Sequence, residues 1–214
     1  VGPGFDVTAD ELLLPQKVNN YEIGVRTTFQ QFQATLAGFY NESDLGSSIA
    51  VDFATGLARV ERSPQRNYGI EATVDWQPSD AWRLGGLLSW NEGENDVDND
   101  GNFLALSTLE IDPIKVGFYL ENETTPGWTN RFDVLLIGTR DRSVDAGVDQ
   151  FAGTGYTVVD FSSNIRLGSG TLSLGIGNLF NEQYATIRQQ NKFNVTQRAP
   201  AVGRTFQVRY ALEF

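Results

Sequence analysis

The chain is 214 residues long and carries 27 Asp+Glu against 16 Lys+Arg, a net charge of −11, with no Cys, His or Met. The missing Cys and His remove disulfide frameworks, thiolate and imidazole catalysis, His- or Cys-ligated zinc and imidazole pH switching, and the acidic balance argues against nucleic-acid binding. No apolar run approaches the roughly 18 residues of a membrane helix, and a first residue other than Met points to a processed or truncated chain.

The informative signal is alternation of apolar and polar side chains with period two, the pattern of β-strands. It recurs in nine segments. The first two, at 20–30 and 32–42, are joined by Gln30-Gln31. The third, 66–77, sets Tyr68, Ile70, Ala72, Val74 and Trp76 against Gly69, Glu71, Thr73 and Asp75, and turns through Gln77-Pro78-Ser79-Asp80 into 81–92. The fifth, 113–124, opposes Ile114, Val116, Phe118 and Leu120 to Lys115, Gly117, Tyr119 and Glu121. It passes through Thr124-Thr125-Pro126-Gly127 into 128–140. Segment 155–167 turns at Gly168-Ser169-Gly170 into 171–179. The last, 202–214, has Phe206, Val208, Tyr210, Leu212 and Phe214 on one face and Thr205, Gln207, Arg209, Ala211 and Glu213 on the other. No amphipathic helix stands out.

Long polar stretches at 43–65, 93–112, 141–154 and 180–201 separate these hairpins, so short and long connections alternate strictly. That is the organisation of an all-β transmembrane antiparallel β-barrel with short periplasmic turns and long extracellular loops. Strand lengths fall near the ~9–11 residues of a tilted crossing. Aromatics such as Tyr21, Tyr40, Tyr68, Trp76, Trp82, Trp90 and Trp128 sit at strand ends, where interfacial girdles lie. The alternative is a soluble antiparallel protein such as a β-sandwich binding module. Against it stand the charges of both signs on the inward rows, among them Glu22, Arg26, Asp75, Arg83, Lys115, Arg131 and Asp133, which a wet lumen accepts and a dry core does not. A terminal Phe places the last strand's end on the periplasmic side. Nine is an odd number, and an open sheet leaves two unpaired edges in lipid. The expectation is therefore that residues 1–214 form the C-terminal part of a larger barrel.

Asp96-Val97-Asp98-Asn99-Asp100-Gly101 matches the opening of a calcium loop, but Ser107 occupies the twelfth position where a bidentate Glu is required. Asp96, Asp98 and Asp100 are thus candidates for a loose divalent-ion site, with a solvated acidic loop as the plainer reading. Arg59, Arg62, Arg66, Arg140, Arg142, Arg188, Arg198 and Arg204 all fall at the loop end of the strands. Guanidinium forks suit carboxylates and other anionic oxygens, so these residues are candidates for an anionic ligand, charge balance with nearby Asp141, Asp145 and Asp149 being the alternative. Gly175-Ile176-Gly177 lacks the third glycine of a dinucleotide fingerprint and lies in a strand. No pattern supports catalysis.

Gly177-Asn178-Leu179-Phe180-Asn181-Glu182-Gln183-Tyr184 is similar to the NLFD-x-x-Y motif of TonB-dependent outer-membrane receptors, and Gly203-Arg204-Thr205-Phe206 with terminal Phe214 resembles their last strand. Pro15-Gln16-Lys17, Tyr21-Glu22-Ile23-Gly24-Val25-Arg26, Phe39-Tyr40-Asn41 and Tyr68-Gly69-Ile70-Glu71 resemble further segments of that family, in the same order. The resemblance is to siderophore receptors, of the hydroxamate or citrate-hydroxamate type. It implies a 22-stranded barrel of which this chain supplies about nine strands, TonB-dependent uptake of a ferric siderophore, and no catalytic activity. A porin or other solute channel is the runner-up. The implied partners are the ferric siderophore, the TonB complex through a plug region not found in this sequence, outer-membrane lipid and lipopolysaccharide, and the barrel assembly machinery. Tyr210, Leu212 and Phe214 resemble the terminal signal which that machinery reads. A receptor for an already chelated metal requires no cofactor and no soft ligands of its own.

Overall fold

The computed structural model describes residues 5–6, 14–52, 57–190 and 198–212. Nine antiparallel strands follow one another across a single sheet: β2 (Asn19–Phe29), β3 (Phe32–Asp52), β4 (Leu57–Ser79), β5 (Trp82–Asn95), β7 (Lys115–Thr125), β8 (Trp128–Ile137), β9 (Tyr156–Leu167), β10 (Gly170–Gly177) and β11 (Thr205–Leu212). Two short strands join its margins: β1 (Phe5–Asp6) pairs in parallel with β4, and β6 (Leu104–Ala105) pairs with β5. Each of the nine sequence segments overlaps one of these strands.

Within these nine, each strand pairs with the next in chain order, as alternating hairpins require. β7 follows β5 in the sheet because β6 occupies only the loop end of β5. The tight turns fall at Gln30-Gln31, Asp80-Ala81, Pro126-Gly127 and Gly168-Ser169. Gly127 adopts φ 83°, which a side chain resists, so its position in the turn follows from the residue type. Because Gly170 at the last turn pairs with Leu212, the C-terminal end of β11 lies at the turn end of the sheet. Phe214 itself lies outside the described residues.

Three connections depart from the sequence reading. Of the stretch 43–65, residues 43–52 and 57–65 belong largely to paired strands, β3 and β4 continuing to Asp52↔Leu57. Ser47–Asp52 keeps strand geometry because ladder hydrogen bonds with Leu57–Arg62 carry it. A one-residue bulge between Ser43 and Gly46 accommodates Pro64, which cannot donate to the ladder. Past the ~9–11 residues of a membrane crossing, this hairpin extends by roughly 30 Å at about 3.3 Å per residue. The stretches 141–154 and 180–201 each hold one helical turn, α1 (Arg142–Asp145) and α2 (Ile187–Gln190).

The two faces of the sheet differ as the alternation demands. Ile23 and Val208 are 82 % and 75 % exposed, and Leu36, Ile70, Val74, Trp76, Phe118, Phe132 and Leu136 on the same face are also exposed. Apolar side chains buried among the described residues are few: Ala105, Leu106, Ile111, Ile137, Val158 and Ile187. All lie at or near the loop end. An apolar face this extensive marks a surface built against another apolar phase. Among the described residues, β2 and β11 remain unpaired on their outer edges.

Candidate functional site

The inner face carries a ladder of charges toward its turn end. Asp75 accepts from Arg83 Nε at 3.2 Å and Nη2 at 3.0 Å, and from the Tyr119 hydroxyl. Arg131 lies 4.0 Å above the Tyr119 ring, bonds Asp133 at 2.7 Å and reaches Glu121 at 3.5 Å. The register Asp75↔Gly85↔Tyr119↔Asp133↔Asp160 places this chemistry in one row across five strands. Every charge there has a counter-charge or hydrogen-bond partner within the row or beside it, except Asp160, whose Oδ1 accepts instead from the backbone N–H of Asn178 at 2.7 Å.

At the loop end the arginines divide into distinct environments. Arg66, Arg140 and Arg142 come together. Arg66 Nε donates to Glu94 at 2.6 Å and its guanidinium lies 4.2 Å from the Phe103 ring. Arg142 bonds Glu94 and the Tyr68 hydroxyl and lies 3.4 Å from Glu92. Arg140, 4 % exposed, donates to Glu92 at 2.9 Å, to the Leu106 carbonyl at 2.9 Å and to Ser143 Oγ at 3.3 Å. Burial works to raise the Glu94 carboxyl and is outweighed by the Arg66 and Arg142 bonds and charges, so it titrates below the ordinary range. These three arginines share two glutamates.

Register explains which way this cluster faces. The tyrosine row Tyr21↔Tyr40↔Tyr68 continues to Glu92, and the next row outward is Asn19↔Glu42↔Arg66↔Glu94. Tyr68 shares its face with Ile70, Val74 and Trp76, so Arg66 and Glu94 prolong the apolar face beyond its aromatic row. Beside them, Asp149 accepts four bonds, from Ser107 Oγ, Thr108 N, Thr108 Oγ1 and Ser143 Oγ, at 2.7–2.8 Å. Burial again opposes ionisation and those donors outweigh it, holding Asp149 below its usual pKa. Arg140 and Asp149 thereby clasp the 104–113 segment to the 140–149 segment.

The other arginines stand apart. Arg62 donates to the Leu14 and Leu45 carbonyls at 3.1 and 3.2 Å. Arg59 pairs with Ala50 in the β3–β4 ladder, and its side chain lies outside the described residues. Arg198 stacks 4.6 Å above Phe151. Arg204 is exposed just before β11, where its backbone N–H donates to Asn181 Oδ1. Arg188, on α2, lines a cavity of about 320 Å³ with Lys115, Asp112, Tyr156, Ile137 and Ile187. Lys115↔Ile137↔Tyr156 form one cross-strand row, so this cavity opens on the inner face at the mouth of the sheet.

The acidic loop organises itself. Asp96, 3 % exposed, accepts from the backbone N–H groups of Asp100 and Gly101, and Asp100 accepts from Asn102. Among the described residues no three His, Cys, Asp or Glu side chains converge on a metal position. The turn bonds account for Asp96 and Asp100 without an ion, and Ser107 is engaged with Asp149 instead.

The NLF segment is structural. Asn178, 5 % exposed with φ 52°, donates from its amide to the Glu182 carbonyl at 2.9 Å and accepts the Glu182 N–H at 2.8 Å. Tyr184 stacks on Tyr156 with centroids 4.2 Å apart. Sequence reasoning missed Tyr156 and Lys115 as mouth residues. The signal available was their place as the first residues after long loops.

A family profile described as TonB dependent receptor-like, beta-barrel, matches residues 1–179. The chain belongs to that family. Its members are receptors and transporters, which agrees with the absence of any catalytic pattern in the sequence. The ferric aerobactin receptors of Escherichia coli and Klebsiella pneumoniae are each 26 % identical over 216 residues, covering 96 % of this chain and 28 % of theirs. The chain therefore spans less than a third of the length of the curated relatives it matches. Among solved structures, the copper transporter OprC superposes with a TM-score of 0.80 at 20 % identity, over 94 % of this chain and 32 % of that one. The ferric-catecholate import receptor Fiu of E. coli K12 superposes with a TM-score of 0.67 at 20 % identity, over 94 % and 28 %. At these identities the superpositions show the fold alone.

Proposed function

We propose that residues 1–214 form the C-terminal part of the barrel wall, with its extracellular loops, of an outer-membrane receptor that takes up a ferric siderophore in a TonB-dependent manner. The observation that carries this reading is the match along 96 % of the chain to ferric aerobactin receptors. The two-faced sheet supports it, with an apolar face bordered by tyrosines outside and a row of charges inside. About nine of an expected 22 strands are accounted for, and β2 and β11 are the edges at which further strands would pair. Outer-membrane lipid and lipopolysaccharide are the surroundings for the apolar face. The assembly machinery is the partner for the terminal strand, and TonB is contacted by parts of the receptor outside this sequence.

The test is uptake of radiolabelled iron, supplied as ferric siderophores, by iron-starved cells lacking their own receptors and expressing the full-length protein. Energised uptake that disappears when TonB is removed supports the reading. Passive uptake indifferent to TonB makes the protein a channel instead.

A further inference from the structure

Some cations at the loop end are already held in ion pairs and others are not. Arg66, Arg140 and Arg142 are bound to Glu92 and Glu94 and lie beyond the aromatic row of the apolar face. Lys115 and Arg188 differ on both counts. They line the same cavity at the mouth of the inner face, both are exposed, and neither side chain makes a hydrogen bond or ion pair with a described residue. Asp112 is the one carboxylate in that lining, so the cavity carries a net positive charge within a chain of net charge −11. Ile137 and Ile187 supply an apolar floor, each under 10 % exposed at 8 % and 5 %. Tyr156 forms the wall, held in place by its stack on Tyr184.

The scaffold around the cavity is fixed. Gln190 on α2 accepts from Thr154 N at 2.7 Å and donates to the Thr154 and Ala185 carbonyls at 2.9 and 2.8 Å. Ile187 packs against Gly153 closely enough that a Cβ there would sit 3.1 Å from its Cδ1. Arg188 is thus carried on an anchored turn facing the strand that carries Lys115.

Resting on the receptor reading above, we propose that this cavity is an anion subsite that selects ferric chelates bearing a free carboxylate. Lys115 and Arg188 supply the counter-charges, and Tyr156 with the isoleucine floor takes the adjoining aliphatic or planar body. At about 320 Å³ the cavity holds one arm of a chelate, not the whole of it. Two uncommitted cations gain a charge-assisted partner on binding, whereas Arg66, Arg140 and Arg142 would first have to release theirs.

The test is equilibrium binding to the purified full-length receptor of two probes, ferric citrate and a ferric trihydroxamate with no carboxylate. The double variant Lys115→Gln/Arg188→Gln is compared with wild type at equal outer-membrane level. The expected result is at least about a tenfold loss for ferric citrate, the scale of one charge-assisted bond, with less than about a twofold change for the trihydroxamate. The charge-preserving Lys115→Arg/Arg188→Lys variant should retain most of the citrate affinity. If the double variant assembles poorly, Arg188→Gln alone and the salt dependence of wild-type citrate binding decide the matter. A parallel loss for both probes, or no loss for either, overturns the subsite and leaves the receptor reading intact. Wild-type protein that binds no ferric chelate overturns both.

Discussion

Arg140 and Glu92 meet at 2.9 Å across 48 residues of sequence, with side chains only 4 % and 12 % exposed. This pair joins the end of β8 to the loop end of β5, and the Leu106 carbonyl and Ser143 Oγ share the same guanidinium. Removing Arg140 takes the donor from the buried Leu106 carbonyl and Ser143 Oγ and leaves Glu92 only its longer contact with Arg142 at 3.4 Å, at about 1–3 kcal/mol. Arg140→Met is therefore expected to loosen residues 104–111 while β5, β7 and β8 below stay paired. Hydrogen exchange of the full-length protein should show faster exchange confined to that segment.

Asp149 gives the same clasp a pH dependence of known sign. Its folded pKa lies below the ordinary aspartate value of about 3.9, so its contribution is complete above that value and is lost as pH falls through the folded one. Protection of residues 107–108 should be constant from about pH 5 to 8 and decline only below about pH 4. Asp149→Asn should remove it throughout, because an amide offers one acceptor oxygen to donors that now share two.

Gly93 marks where the 104–113 segment presses on β5. A Cβ at that position would fall 2.7 Å from both Leu106 Cδ1 and Ile111 Cδ1. Overpacking of this kind costs about 1–3 kcal/mol. Gly93→Val should displace both buried side chains and raise the rate of proteolysis within 96–113, with barrel assembly preserved.

Asn178 ends β10 with an amide bonded in both directions to Glu182. Asn178→Ala leaves two backbone groups without those partners, at about 1–3 kcal/mol each when buried. The expected outcome is a lower thermal midpoint for the full-length protein in detergent. Asn178→Asp should recover part of the loss, since it keeps the acceptor for the Glu182 N–H.

Much of the fold was legible because a sheet with one apolar and one polar face imposes period two on its strands. The segment 66–77, with Ile70 and Val74 opposite Glu71 and Asp75, needs no tertiary knowledge to be placed. The continued pairing of 43–52 with 57–65 was hidden because past the apolar band neither face must be apolar, and Ser47-Ser48 reads as loop. The short strand β6 and the one-turn helices α1 and α2 lack the length to show any period.

The site was legible in composition and not in geometry. Eight arginines at one end were visible, yet their partners were not. Parity alone would have separated Arg66 from the inner face, since it is in phase with Tyr68 and Ile70. No sequence signal announces that Arg140 reaches Glu92 or that Arg188 shares a cavity with Lys115, because those meetings depend on how the loops fold back over the sheet.

On the receptor reading, one face of this sheet meets lipid and the other a wet lumen. The chain contains no cysteine, so single cysteines at positions 70 to 75 of the membrane-embedded full-length receptor, otherwise free of cysteine, read that claim directly. Labelling by a water-soluble thiol reagent should alternate, with 71, 73 and 75 reactive and 70, 72 and 74 protected and quenched by lipid-borne probes. Uniform reactivity at both sets, with no lipid quenching at 70, 72 and 74, would contradict the account.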